Sequence, residues 1–238
     1  MSGMTMQPDA AAIQQLFDRI APLYDRLNDH LSFGTHRIWK QMAIAWSEAQ
    51  PGDTVLDLCC GSGDLALLLA EVVGSTGTVV GADFSSAQLE VARRRSYQQL
   101  REVDWVQADA LALPFSDNCF NAATMGYGLR NLTDIPQGLR QLYRVLKPGA
   151  KVAILDMHRP QSAPMQAFQQ WYLDRLVVPT AQQFQLKDEY AYIAPSLDRF
   201  PCGPVQVQLA QSVGFEQVVH YPLMGGMMGV LVARKPQF

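Results

Sequence analysis

The sequence lacks any long apolar run. The longest, Leu65 to Ala70, falls far short of the roughly 20 residues that cross a bilayer, so membrane contact is expected to be peripheral. It has little cysteine: Cys59, Cys60, Cys119 and Cys202 show no C-x-x-C spacing, which speaks against zinc and for a reducing, cytoplasmic compartment. The start, MSGMTMQPDAAAI, has neither a basic n-region nor an apolar h-region, so no secretory leader is read there. Basic excess is also missing. With a net charge of −3 and 17% charged residues, nothing global attracts a polyanion, which disfavours nucleic acid as a partner. There is no internal repeat, low-complexity tract or clear linker, and 238 residues at 48% hydrophobic read as one globular domain.

What is present is alternation. From Gln50 to Asp156, strand-like and helix-like segments alternate: Thr54–Leu58, Asp64–Val73, Thr78–Ala82, Ser85–Leu100, Val103–Ala108, Phe120–Met125, Ile135–Leu146 and Lys151–Asp156. Repeated strand and helix with short loops predicts a doubly wound, mostly parallel sheet. Ser85 with Gln88 three residues on reads as a capping box. Ile13, Leu16, Phe17 and Ile20 give an apolar helical stripe near the start. Beyond Asp156 a helical insert is predicted over 163–194, then a helix near 205–213 and strands at 216–221 and 227–233. The link between those last strands is so short that they must be antiparallel. The predicted layout is an N-terminal helical lid (1–48), a nucleotide-binding core (49–156), a helical insert (157–202) and a C-terminal helix with a strand hairpin (203–238).

The turn Asp57-Leu58-Cys59-Cys60-Gly61-Ser62-Gly63-Asp64 joins a strand to a helix, and read alone its glycines suit a dinucleotide. Its charge argues otherwise. Asp57 and Asp64 would repel a pyrophosphate, whereas S-adenosylmethionine, with its ammonium and sulfonium, would be attracted. Helix capping is the plainer role for Asp64. Asp83 ends the second strand and suits ribose hydroxyls, Phe84 suits an adenine face or equally a place in the core, and Asp109 with Ala110 suits the adenine edge after the third strand, with a solvated loop acid as the plainer role. Cys59 takes a place where glycine is usual, and an ordinary backbone conformation is expected there. No metal-ligand cluster is seen, and the four histidines look scattered.

Two further segments carry a resemblance. Tyr24-Asp25-Arg26-Leu27-Asn28-Asp29-His30-Leu31-Ser32-Phe33-Gly34-Thr35-His36-Arg37-Ile38-Trp39-Lys40 and Tyr143-Arg144-Val145-Leu146-Lys147-Pro148-Gly149 resemble the signatures of the ubiquinone/menaquinone biosynthesis C-methyltransferases. The likeness runs from about Leu16 to Ala233. It implies a Rossmann-like class I S-adenosylmethionine-dependent fold with seven strands and a C-terminal antiparallel hairpin. Cys59-Cys60 and Met125-Gly126-Tyr127-Gly128-Leu129-Arg130-Asn131 are similar to the phylloquinone branch, which implies methylation of a reduced, phytylated naphthoquinone. Menaquinone or ubiquinone ring methylation is the alternative. The resemblance also implies that Arg130 and Asn131, with Tyr24, activate a water, and that Tyr190, Tyr192 and Ser196 line the acceptor side. Tyr127 falls at the crevice where an acceptor would lie. Arginine is a poor base at neutral pH, its pKa lying above about 12, so Arg130 is read as stabilising a phenolate, with a structural fork as the competing role.

Met165, Phe168, Tyr172 and Leu176, at helical spacing, suit a phytyl channel, as does a methionine cluster at Met224, Met227 and Met228, for which core packing is preferred. A prenylated naphthoquinol partner, peripheral membrane contact and room for a homodimer complete the expectation. A nicotinamide oxidoreductase, a base methyltransferase and a non-catalytic nucleoside sensor are the competing classes. The first conflicts with Asp57 and Asp64, the second expects an Asn/Asp-Pro-Pro-aromatic turn, and the third has no need of Arg130, Asn131 and Tyr24.

Overall fold

The computed structural model describes residues 34–183 and 193–238. Tyr24, Tyr190, Tyr192 and the apolar stripe from Ile13 to Ile20 lie outside them.

Seven strands form one sheet: β1 (Thr54–Leu58), β2 (Thr78–Asp83), β3 (Asp104–Gln107), β4 (Phe120–Gly126), β5 (Leu146–Met157), β6 (Glu216–Leu223) and β7 (Met228–Arg234), in the order β3-β2-β1-β4-β5-β7-β6. The first five are parallel, and β7 runs antiparallel to both β5 and β6. That is the predicted doubly wound sheet with its antiparallel end, and the order reverses beside β1. There the crevice opens at the carboxyl ends of β1 and β4.

Helices α1 (Thr35–Ser47), α2 (Asp64–Val73), α3 (Ser86–Gln99) and α4 (Ile135–Val145) belong to this part of the chain. Central strands buried on both faces read as apolar runs, and β1 obeys this at Val55, Leu56 and Leu58 while Asp57 breaks it. On α4, Leu139, Leu142 and Val145 form the inward stripe, and Asp134 caps the helix by accepting from the Gln137 N–H at 2.8 Å. Ser85 caps α3, accepting from the Gln88 N–H at 3.1 Å. The Ser85 N–H itself donates to Asp83, so an acid of the site takes part in the cap.

The insert begins with α5 (Ala163–Tyr172), passes through one wide π turn (Leu173–Val177) into α6 (Val178–Gln183), and resumes at α7 (Ile193–Arg199). Helix α8 (Gly203–Val213) then leads to the hairpin. Met227 and Met228 are buried and Met224 is exposed, so the methionine cluster is split between core and surface. On α5, Phe168 and Trp171 stack with centroids 5.9 Å apart and are exposed, as is Leu176. Among the described residues no helix is long and apolar enough to cross a membrane.

Candidate functional site

A cleft opens over the carboxyl ends of β1, β2 and β4. Asp57, Gly61, Asp64, Asp83, Phe84, Asp109 and Ala110 line it, as do Tyr127 and Asn131. Seven of the predicted cofactor residues thus share a wall with two predicted from the acceptor side.

Asp57 and Thr124 are register partners on β1 and β4, so their side chains share a face, and the Thr124 hydroxyl donates to Asp57 Oδ1 at 2.8 Å. Asp57 is 1% exposed and, among the described residues, its Oδ2 has no hydrogen-bond partner. Burial pushes its carboxyl up to about 7, against the smaller opposing pull of Thr124, the α2 backbone and Lys40. A buried carboxylate oxygen of this kind calls for a cation or a donor to complete it.

Asp64 has a different environment. Burial raises its carboxyl, but Lys40 and Arg95 outweigh that and hold it down to about 2. Arg95 reaches Asp64 Oδ1 at 2.5 Å, and Lys40 Nζ donates to Oδ2. The two acids of the glycine turn are therefore not equivalent: Asp64 is already neutralised by the protein.

Asp83 Oδ2 accepts the Gly61 N–H and Oδ1 accepts the Ser85 N–H, each at 2.8 Å. These bonds fix the direction of the carboxylate at the end of β2. Phe84 is 39% exposed at the rim. Asp109 is exposed and its Oδ1 accepts the Leu111 N–H at 2.9 Å. Gly63 does not line the cleft. It sits at φ 90°, and a Cβ there would lie 2.6 Å from the Trp105 ring, so its need for glycine is one of packing and turn geometry.

Cys59 corrects the sequence reading. Its backbone is not ordinary: φ is 56°, in the left-handed region that costs a non-glycine residue roughly 1–2 kcal/mol. The thiol packs towards Gly128, where a Cβ would come within 2.8 Å of Sγ. Tyr127, across the cleft, has φ 61°. Two strained residues thus follow β1 and β4, the two strands that flank the crevice.

Arg130 and Ser196 are brought together away from the cleft wall. Arg130 donates from Nε to Asp156 Oδ1 at 3.2 Å, from its backbone N–H to Asp156 Oδ2 at 2.9 Å, and from a terminal nitrogen to Ser196 Oγ at 2.6 Å. Both side chains of the ion pair are buried, at 8% and 1% exposure. Neither Arg130 nor Ser196 lines the cleft; Asn131 does. Asn131 Nδ2 donates to the Tyr127 carbonyl at 3.0 Å, and among the described residues its buried Oδ1 has no partner.

The histidines are not all scattered. His158 and His220 meet with their Nε2 atoms 3.0 Å apart, and Gln206 Nε2 lies 2.8 Å from His158 Nε2. Burial lowers both rings, His220 to about 4. The sequence reading missed this pair because its partners are 62 residues apart. It also gave no role to Lys40, Arg95, Thr124 or Asp156. Only Lys40 carried a signal, as a lysine on the inward stripe His36, Lys40, Ala43, Ile44, Ser47. Among the described residues no group of three or more metal-ligating side chains occurs.

The fold and cleft can be set against known proteins. The model of the ubiE/COQ5 methyltransferase family matches residues 4–235. A Nostoc sp. protein named 2-phytyl-1,4-naphtoquinone methyltransferase is 62% identical over 225 residues, 94% of this chain and 98% of its own. A chloroplastic protein of Arabidopsis thaliana named 2-phytyl-1,4-beta-naphthoquinone methyltransferase is 50% identical, covering 92% of this chain and 86% of its own. Among solved structures, a SAM-dependent methyltransferase from Thermotoga maritima shares the fold with a TM-score of 0.65 at 18% identity, over 94% of this chain and 99% of that one.

Proposed function

This chain belongs to the ubiE/COQ5 methyltransferase family, and on that premise we propose that it transfers the methyl group of S-adenosylmethionine to the ring carbon of reduced 2-phytyl-1,4-naphthoquinone. The observation that carries the acceptor is the 62% identity, over nearly the whole length of both chains, to a protein bearing that name. The cleft fits the cofactor on its own terms. Asp83 offers a carboxylate to a ribose, Phe84 an apolar face to a base, Asp109 and Ala110 an edge for the adenine, and the buried carboxylate of Asp57 suits a cation. Gly61 lets the chain approach the ligand closely.

S-adenosylmethionine supplies a methyl group activated by its sulfonium. A quinone ring is an electrophile, so the acceptor must be the quinol. Loss of the phenolic proton raises electron density on the neighbouring ring carbon, which forms the new C–C bond as the S–C bond breaks to leave a thioether. The proton on the methylated carbon then departs and the ring regains aromaticity. The chain's own part is to align two reactants, exclude water and receive protons. Asn131, which lines the cleft and whose buried oxygen has no partner among the described residues, is the group that meets the acceptor. Arg130, held behind the cleft wall by Asp156 and Ser196, acts in this reading as the structural fork that positions the loop carrying Asn131. Tyr24, Tyr127, Tyr190 and Tyr192 are the remaining contacts of this reading. The exposed Phe168–Trp171 pair and Leu176 give α5 and the turn after it an apolar surface suited to a phytyl tail and to a lipid boundary, in keeping with a peripheral membrane enzyme.

The acceptor assignment is tested by product mass across a panel: phytylated naphthoquinol, a longer-chain naphthoquinol and a prenylated benzoquinol. Preferred turnover of the first is expected. Equal or better turnover of a benzoquinol would overturn the assignment.

A further inference from the structure

Thr124 is a buried polar residue to which the chemistry above gives no task. It stands in β4 among Ala122, Ala123 and Met125, all buried, and is itself 0% exposed. A hydroxyl in such a stretch costs free energy unless it is bonded, and valine has the same shape without that demand. Among the described residues its one acceptor is Asp57 Oδ1, at 2.8 Å, and the β1–β4 register sets the two side chains beside each other. Asp57 is likewise the one polar residue in the buried part of β1. The other groups that face Asp57 come from three elements: Lys40 on α1 and the Ala66 N–H in the first turn of α2 favour its ionised form, and Asp83 on β2 opposes it. A hydroxyl has a single proton to donate. Donated to Oδ1, that proton is compatible with a carboxylate or with a carboxyl protonated on Oδ2. A proton on Oδ1 would instead leave the hydroxyl without an acceptor, a buried and unsatisfied group.

We propose that Thr124 is the positioning residue for Asp57: by donating to Oδ1 it confines the carboxyl proton to Oδ2 and favours the ionised form that receives the ammonium of S-adenosylmethionine. The inference rests on the cofactor reading above and deepens it. Proton and ammonium compete for one carboxylate, and the hydroxyl turns that competition towards the ligand because it bonds the ionised form more strongly. Burial already places the carboxyl at about 7, so a displacement of about one pH unit decides how much of the protein is ready to bind at neutral pH.

The experiment compares wild type with Thr124→Val, which keeps the shape of the side chain and removes the donor. Both are titrated with S-adenosylmethionine by calorimetry across neutral pH, so that the ligand's own amine cancels in the ratio of affinities. Loss of a hydrogen bond to a charged group is expected to raise the Asp57 carboxyl by about one pH unit, so the variant should bind about fivefold more weakly at about pH 7 and within about twofold of wild type at about pH 8.5. Thr124→Ser keeps the donor and should follow the wild type. Thr124→Ala lacks it and is read in place of Thr124→Val should that variant fail to fold. A weakening equal at every pH, as a merely structural role would give, or none at all, would overturn the proposal. The ligand-free carboxyl is followed separately by carbon NMR titration, with Asp57→Asn to assign its signal. An Asp57 that titrates at the same pH with and without the hydroxyl would overturn the proposal too. A carboxyl that shifts as expected, in a protein whose wild type does not bind S-adenosylmethionine, would instead overturn the cofactor reading.

Discussion

A carboxyl with its ordinary value near 4 displaced to about 7 makes Asp57 a site where ligand charge and protons are linked. Without ligand, Asp57 is largely protonated below pH 7, and a cation in the cleft favours the ionised form. Binding therefore expels a proton, and affinity rises with pH. S-adenosylmethionine should bind about tenfold more tightly at pH 7 than at pH 5.5, a window below the titration of its own amine. Asp57→Asn should flatten that dependence in calorimetry; an unaltered slope would remove Asp57 from the account. Cys59 provides a second test. At φ 56° a glycine is free of strain whereas alanine keeps it, so Cys59→Gly should be about 1 kcal/mol more stable than Cys59→Ala in thermal unfolding. The sequence named Asp57 because an acid ending a buried strand demands a partner. It did not reveal the strain, since φ at Cys59 depends on how the turn meets Gly128 across the cleft.

Strand ends do most of the positioning. Acids follow β1, β2 and β3, and the periodicity of the chain made those ends legible because parallel strands need crossovers and crossovers fix their order. Side-chain direction at the loops was not legible. Arg130 and Ser196, 66 residues apart, meet behind the cleft wall because β4 and β5 are neighbours and α7 packs against the turn Leu129–Asn131. Arg130→Ala would leave Asp156 buried and uncompensated, which costs about 3–5 kcal/mol. A sharply lowered melting temperature is expected. Arg130→Lys, which keeps the charge but not the fork, should recover part of the loss. A variant Arg130→Ala of wild-type stability would contradict the buried pair. Gly63→Ala tests the turn itself: the added carbon meets Trp105, so cofactor affinity should fall through displacement of the loop, together with stability.

At the scale of the whole molecule, the histidine pair ties the C-terminal hairpin to the end of β5. Both rings are held below their ordinary value by burial, so below pH 6.5 the unfolded chain takes up protons that the native pair refuses. Stability should therefore fall as pH drops from 6.5 towards 4, and His220→Asn should reduce the slope of melting temperature against pH over that range.

The sheet, the cleft and the family converge on methyl transfer to a quinol, and the redox state of the acceptor is where the chemistry is most exposed. The direct measurement uses S-adenosylmethionine carrying a deuterated methyl group, with 2-phytyl-1,4-naphthoquinone, in the presence and absence of dithionite, with product mass as the readout. The account predicts that the label enters the ring only when the quinone is reduced. Equal labelling of the oxidised quinone, or none of the quinol by protein that binds the cofactor, would contradict it.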